Sequence, residues 1–192
     1  MVILGIDPGS ITTGYAFLDV DGTDFRVLQY GVVHAGASDA LENRLLKIVT
    51  ELETLIDKFH PQALAMEGVF FAKNAKSALV LGHIRGAILV ACRRRGMTFD
   101  EYPPRLVKQA VTGDGAASKE QVANMVFARL GIEHSDLPLD ASDALAIAWT
   151  HANPAPLSAA LVARAGKPVH RKKKASVSEW KALVEKMGGT IQ

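Results

Sequence analysis

Four carboxylates stand where apolar residues would be expected: Asp7 in Leu-Gly-Ile-Asp-Pro-Gly-Ser, Glu67 in Leu-Ala-Met-Glu-Gly-Val-Phe-Phe, and Asp140 with Asp143 in Leu-Asp-Ala-Ser-Asp-Ala-Leu-Ala. An isolated carboxylate is costly to ionise in such surroundings. Several gathered together require a cation, and an all-oxygen donor set selects Mg²⁺ or Mn²⁺. The chemistry that fits is metal-dependent phosphoryl transfer. Two cations about 3.5 to 4 Å apart activate a water on one side of a phosphodiester and stabilise the departing 3′-oxygen on the other. Asp7 is the residue best placed to serve both metals, with Glu67, Asp140 and Asp143 completing their shells. Either aspartate of the pair, taken alone, could instead cap or solvate the start of its helix. All four together favour the metal site.

The elements that must position them follow from periodicity. Val2 to Asp7, Thr13 to Val20 and Phe25 to His34 read as strands, the second and third joined by the turn dipeptide Asp21-Gly22, so the chain opens with an antiparallel meander. Leu41, Leu45, Ile48, Leu52, Leu55 and Phe59 form one helical stripe, with Asp39 and Glu42 resembling an acidic capping box. Ala63 to Met66 is a short strand running into Glu67. Residues 74–95 form an apolar helix, Met97 to Tyr102 a fifth strand, and Arg105 to Val111 a short helix. Ser118 and Gln121 give a capping box for a helix reaching Leu130, and Asp140 to Thr150 is the last core helix. The order predicts an α/β fold whose mixed five-stranded sheet has three antiparallel and then two parallel strands, flanked by helices. Asp7 and Glu67 close strands one and four, which a right-handed crossover makes neighbours. Asp140 and Asp143, three residues apart, share a helix face that can look onto both strand ends.

With 192 residues, 48% of them hydrophobic, the chain can bury one substantial core but not two ordinary enzyme domains. Charge divides it unevenly: residues 1–149 carry a balance of −4 and residues 150–192 one of +6. The expected organisation is a catalytic domain over 1–153 and a basic, mobile tail over 154–192, with a short helix at 178–187. Cys92 is the single cysteine, which excludes an intrachain disulfide and suits the cytoplasm. No basic start leads into an apolar signal segment, and no uncharged apolar stretch reads as long enough for a bilayer, so a membrane location is not expected.

The blocks Leu-Gly-Ile-Asp-Pro-Gly-Ser with Thr-Gly-Tyr, Met-Glu-Gly-Val-Phe-Phe-Ala-Lys-Asn-Ala-Lys-Ser-Ala-Leu-x-Leu-Gly-x-x-Arg-Gly, Val-Lys-Gln-Ala-Val-Thr-Gly and Asp-Ala-Ser-Asp-Ala-Leu-Ala-Ile-Ala, in this order from Met1 to about His151, resemble the RuvC family of bacterial Holliday-junction resolvases. The resemblance implies a ribonuclease H-like fold, a homodimer, Mg²⁺-dependent nicking of two opposed strands at a four-way DNA junction, and RuvA and RuvB as partners. It places Asp7, Glu67, Asp140 and Asp143 on the family's acidic positions, where some members have His at the position of Asp140. It puts Phe70 on an aromatic that contacts DNA at the crossover, and Lys108 and Lys119 on lysines tied to DNA binding or catalysis. Gly68 stands where Gln is common in the family, and the tail is longer and more basic than the family's usual.

Other features carry less. Phe70-Phe71 with Lys73 and Lys76 combines stacking surface with phosphate charge, and the residues alone favour Phe71 no less than Phe70. Arg93-Arg94-Arg95 and Arg105 could meet phosphates or merely cover a helix end. Gly82-x-x-x-Gly86 permits close helix approach, either to a second subunit or to the chain's own sheet. His134 and Asp136 fall near Asp140 without ligand spacing. Two other classes share some of these features. Gly-Ile-Asp-Pro-Gly-Ser with Thr12-Thr13-Gly14 also resembles the first phosphate loop of actin and Hsp70-like ATPases, which need a second Asp-x-Gly loop and a second domain that this sequence lacks. A non-catalytic junction-binding module would have lost carboxylates, and all four remain.

Overall fold

The computed structural model describes residues 1–68, 75–133 and 139–153. Five strands, β1 (Val2–Asp7), β2 (Thr12–Asp21), β3 (Asp24–His34), β4 (Ala63–Glu67) and β5 (Thr98–Tyr102), form one sheet in the order β3-β2-β1-β4-β5. β1 pairs antiparallel with β2 and β2 with β3, while β1, β4 and β5 run parallel, as the sequence order predicts. The β2–β3 hairpin turns at Gly22, whose φ of +59° is readily reached without a Cβ.

Helices cover both faces. On one lie α1 (Leu41–Phe59) and α2 (Ala75–Arg93); on the other lie α3 (Pro104–Thr112), α4 (Lys119–Leu130) and α5 (Leu139–Ala152). Strand parity decides which side chains each layer meets. Leu4, Ile6, Leu64 and Met66 face α1 and α2, whereas Ile3, Ala63 and Ala65 face α5. The same alternation assigns Asp7 and Glu67 to the α5 face.

That face is built of small residues so that α5 can lie close. A Cβ on Gly5 would stand 2.3 Å from the Ala144 carbonyl oxygen, and one on Gly14 would stand 1.9 Å from that of Asp140. α5 answers with Ala141, Ala144, Ala146 and Ala148, all fully buried. Close approach of helix backbone to sheet backbone thus carries the first turn of α5 to the ends of β1 and β2.

One local expectation changes. Asp39 does not cap α1: Ala40 occupies the cap position and has no side-chain acceptor, while Asp39 stands one residue earlier, in a turn where its N–H donates to the Gly36 carbonyl. α4, by contrast, has both halves of its capping box, Ser118 receiving the Gln121 N–H and the Gln121 side chain receiving the Ser118 N–H. α2, with a mean hydropathy of 1.4, is long and apolar enough by composition to cross a bilayer, although it carries Lys76, Arg85 and Arg93 and is not the uncharged stretch whose absence the sequence indicated. It is nevertheless a packed helix, burying Ile84, Ile88, Ala91 and Cys92 against the sheet.

Candidate active site

Asp7 owes its position to the loop that follows it. A Cβ on Gly9 would lie 2.0 Å from the Thr12 carbonyl oxygen, so only glycine allows so tight a turn. Thr13, fully buried, closes it by donating its hydroxyl to the Gly9 carbonyl at 2.8 Å. Arg44 of α1 donates to the Ser10 carbonyl at 3.2 Å and ties the loop to the helical layer. The chain then re-enters the sheet with Gly14 opposite Asp7.

The carboxylates of Asp7, Asp140 and Asp143 come together, each offering an oxygen within 4.8 Å of the others. Glu67 stands outside that tight group, at the end of the neighbouring parallel strand, one residue beyond the Ile6–Met66 pair. It is still close enough to act electrostatically. Burial first, then the charges of Asp143, Glu67 and Asp140, push the Asp7 carboxyl from 3.8 up to about 7, against the lowering effect of Lys119. Glu67 is raised as well, by burial and then by Asp143. A cluster that resists its own ionisation this strongly calls for added positive charge, and its all-oxygen donors fit a hard divalent cation.

One cation of the chain is already present. Lys119, at the start of α4, donates to Asp143 at 2.6 Å, and this contact raises the lysine's own pKa. Lys108 of α3 donates instead to the Ala117 carbonyl at 2.7 Å, which fastens the α3–α4 connection. Both lysines line a cavity of about 320 Å³ with Glu67 and Asp143. A second cavity of about 150 Å³ is lined by Asp7, Pro8, Glu67, Gly68, Leu81, Arg85 and Pro104. Together these hollows flank the carboxylates.

Arg85 is the site residue that sequence reasoning passed over. It stands in the quoted Leu-Gly-x-x-Arg-Gly block, and its signal was a lone guanidinium in an apolar helical run. It donates to the Glu67 main-chain carbonyl and to the Glu101 carboxylate. Of the arginine run, Arg95 is bound by Asp57 and Glu53 of α1, and Arg93 by the Met97 carbonyl, which accounts for both within the fold. Phe70, Phe71 and Lys73, and likewise His134 and Asp136, lie outside the described residues. Lys76 is exposed in the first turn of α2.

A mixed sheet in this order, with carboxylates at the ends of its two central parallel strands and on the helix crossing them, has the ribonuclease H-like architecture of metal-dependent nucleases. Residues 3–151 match the family model described as crossover junction endodeoxyribonuclease RuvC, so the chain belongs to the RuvC family. A RuvC from Ruminiclostridium cellulolyticum is 45% identical over 153 residues, covering 80% of this chain and 92% of the relative. One from Sorangium cellulosum is 45% identical over 172 residues, covering 90% and 95%, so the similarity extends into the tail. The structure of Thermus thermophilus RuvC in complex with a Holliday junction substrate is 37% identical, with a TM-score of 0.76 over 82% of this chain and 96% of that one. The yeast mitochondrial Holliday junction resolvase Ydc2, 15% identical with a TM-score of 0.60, covers 82% of this chain and 80% of its own and shares the fold.

Proposed function

We propose that the protein resolves four-way DNA junctions by paired nicks on opposed strands, with Asp7, Glu67, Asp140 and Asp143 as the catalytic metal ligands. The observation that carries this reading is the convergence of three aspartates from β1 and α5 within 4.8 Å, in a chain of this family. Two Mg²⁺ ions, for which Mn²⁺ would substitute, would supply an activated water and stabilise the departing 3′-oxygen. Asp7 supplies charge from the sheet, and Asp140 and Asp143 supply it from the helix. Lys119 balances Asp143 and, with Lys108, offers positive charge to the strand's phosphates beside the cut. Phe70 stacks on bases opened at the crossover. Residues 154–192 form a separate basic tail that adds sequence-independent attraction to DNA. The setting is the bacterial cytoplasm, with RuvA and RuvB as functional partners.

Two opposed cuts call for two sites related by a two-fold axis, and α2 offers the surface for a second copy. Leu79 and Val90 are 67% and 58% exposed, on the same outer side as Gly82 and Gly86. Among the described residues, a Cβ on either glycine would meet nothing within 4 Å, so packing within the described fold requires neither. Small residues flanked by exposed apolar ones suit the close crossing of a symmetry-related helix. Supercoiled plasmid bearing a cruciform is the test: a dimer should yield linear product within the lifetime of one complex. Nicked circles alone, from a protein that remains monomeric by light scattering, would contradict the proposal.

A further inference from the structure

Arg85 emerges from α2 into a nearly closed setting, its side chain only 11% exposed. One arm of the guanidinium meets the Glu67 carbonyl and the other the Glu101 carboxylate on β5. The peptide between Glu67 and Gly68 gives its N–H to the Tyr102 carbonyl of β5. Being trans, that peptide aims its carbonyl away from β5, toward the side where β1 ends and Pro8 has no N–H to offer. A carbonyl at this place needs a donor from outside the ladder, since an unmet one would be costly. Arg85 provides it, and its charge also lowers the cost of ionising Glu67.

We propose that Arg85, anchored by Glu101, is a positioning residue that fixes the end of β4 so that the Glu67 carboxylate faces the Asp7, Asp140 and Asp143 cluster. This rests on the reading of Glu67 as a metal ligand. In this role Arg85 acts through the Glu67 main chain, whose carbonyl it holds. The planar guanidinium can serve both acceptors at once, whereas a lysine offers a single point charge. Glu67 ends its strand, and the bond to Arg85 extends the order of the sheet by the one residue that the metal site requires.

The test is Mn²⁺ binding to the intact full-length protein, followed by electron paramagnetic resonance, beside junction cleavage as a function of Mg²⁺. Arg85→Met should weaken Mn²⁺ binding by about tenfold or more, the usual scale for losing a group that orients a metal ligand. Half-saturating Mg²⁺ for cleavage should rise by the same factor, while junction affinity in Ca²⁺ is retained. Arg85→Lys should fall between Arg85→Met and the wild type. A folded Arg85→Met protein with wild-type Mn²⁺ affinity would overturn the proposal. Should Arg85→Met fail to fold, Glu101→Gln, at a side chain 48% exposed, carries the same test. It should weaken Mn²⁺ binding in the same direction, and unchanged affinity would overturn the role. Glu67→Gln separates the two levels: if it leaves Mn²⁺ affinity untouched, the assignment of Glu67 as a ligand fails. If it weakens binding and Arg85→Met does not, only the role of Arg85 fails.

Discussion

Lys119 holds Asp143 at 2.6 Å, so one member of the carboxylate cluster is paired with a cation of the chain itself. The same lysine lowers the pKa of both Asp7 and Glu67. Its side chain is 58% exposed, so the pair should contribute no more than about 1 kcal/mol to stability. Its larger effect should be on the site. Lys119→Met should leave the melting temperature nearly unchanged and slow junction cleavage at neutral pH by about 10- to 100-fold, the scale for partners of metal ligands. Single-turnover cleavage beside a thermal melt checks this, and unchanged cleavage would reduce the contact to a surface ion pair.

The raised pKa of Asp7 has a definite sign. Its folded value of about 7 lies above its ordinary 3.8, so the stability gained by keeping the proton is complete below about 3.8 and is lost as pH rises through about 7. His151 works oppositely. Burial favours its neutral form, so its contribution grows as pH rises toward 6.5. The comparison of wild type with Asp7→Asn in EDTA isolates the carboxylate. Asp7→Asn should be more stable by about 1 kcal/mol at pH 8, a few degrees in melting temperature, with the difference shrinking toward pH 5. Mg²⁺ should stabilise the wild type selectively at pH 8. A difference independent of pH would show that Asp7 ionises without opposition.

Gly86 offers a clean test of the α2 face, because a Cβ there would meet nothing within 4 Å among the described residues. Gly86→Leu should preserve the circular dichroism spectrum and, by improved helix propensity, stabilise the protomer by a few tenths to about 1 kcal/mol. The dimer should nevertheless weaken, with light scattering showing a monomer at micromolar concentration. A Gly86→Leu protein that remains fully dimeric would place the interface elsewhere.

Phe70→Ala should slow cleavage by the equivalent of about 1 to 3 kcal/mol, the worth of one aromatic stack, while gel-shift affinity changes less. Phe71→Ala should leave the cleavage rate nearly unchanged. If Phe71→Ala is the variant that folds and loses cleavage, the two rings have been assigned in the wrong order.

The fold was legible because hydrophobic period changes sharply along this chain, from alternation in Val2 to His34 to the α1 stripe of Leu41, Ile48 and Leu52. The carboxylates were legible for a related reason: each interrupts an apolar run, and the three-residue spacing of Asp140 and Asp143 fixes their common face. What escaped depends on distance in sequence. The reach of Arg85 to the Glu67 carbonyl spans 18 residues and cannot be read from either local pattern. Asp39 looked like a cap, but it stands one residue before the cap position, in the turn that its N–H closes on the Gly36 carbonyl. The closeness of α5 to the sheet was written in Gly5 and Gly14, yet which helix they admit becomes visible only in three dimensions. Gly82 and Gly86 left two readings open, a second subunit or the chain's own sheet; among the described residues a Cβ on either would meet nothing within 4 Å, and the choice between the readings rests on the oligomeric state.

The most direct measurement of the central claim is cleavage of end-labelled four-way junction, linear duplex and RNA/DNA hybrid, side by side in Mg²⁺, by wild type and Asp7→Asn. Wild type should cut the junction at paired positions on opposed strands and leave the other substrates intact, while Asp7→Asn should bind the junction in Ca²⁺ and cut nothing. Equal cutting of the linear duplex or the hybrid, or junction cleavage that survives Asp7→Asn, would contradict the account.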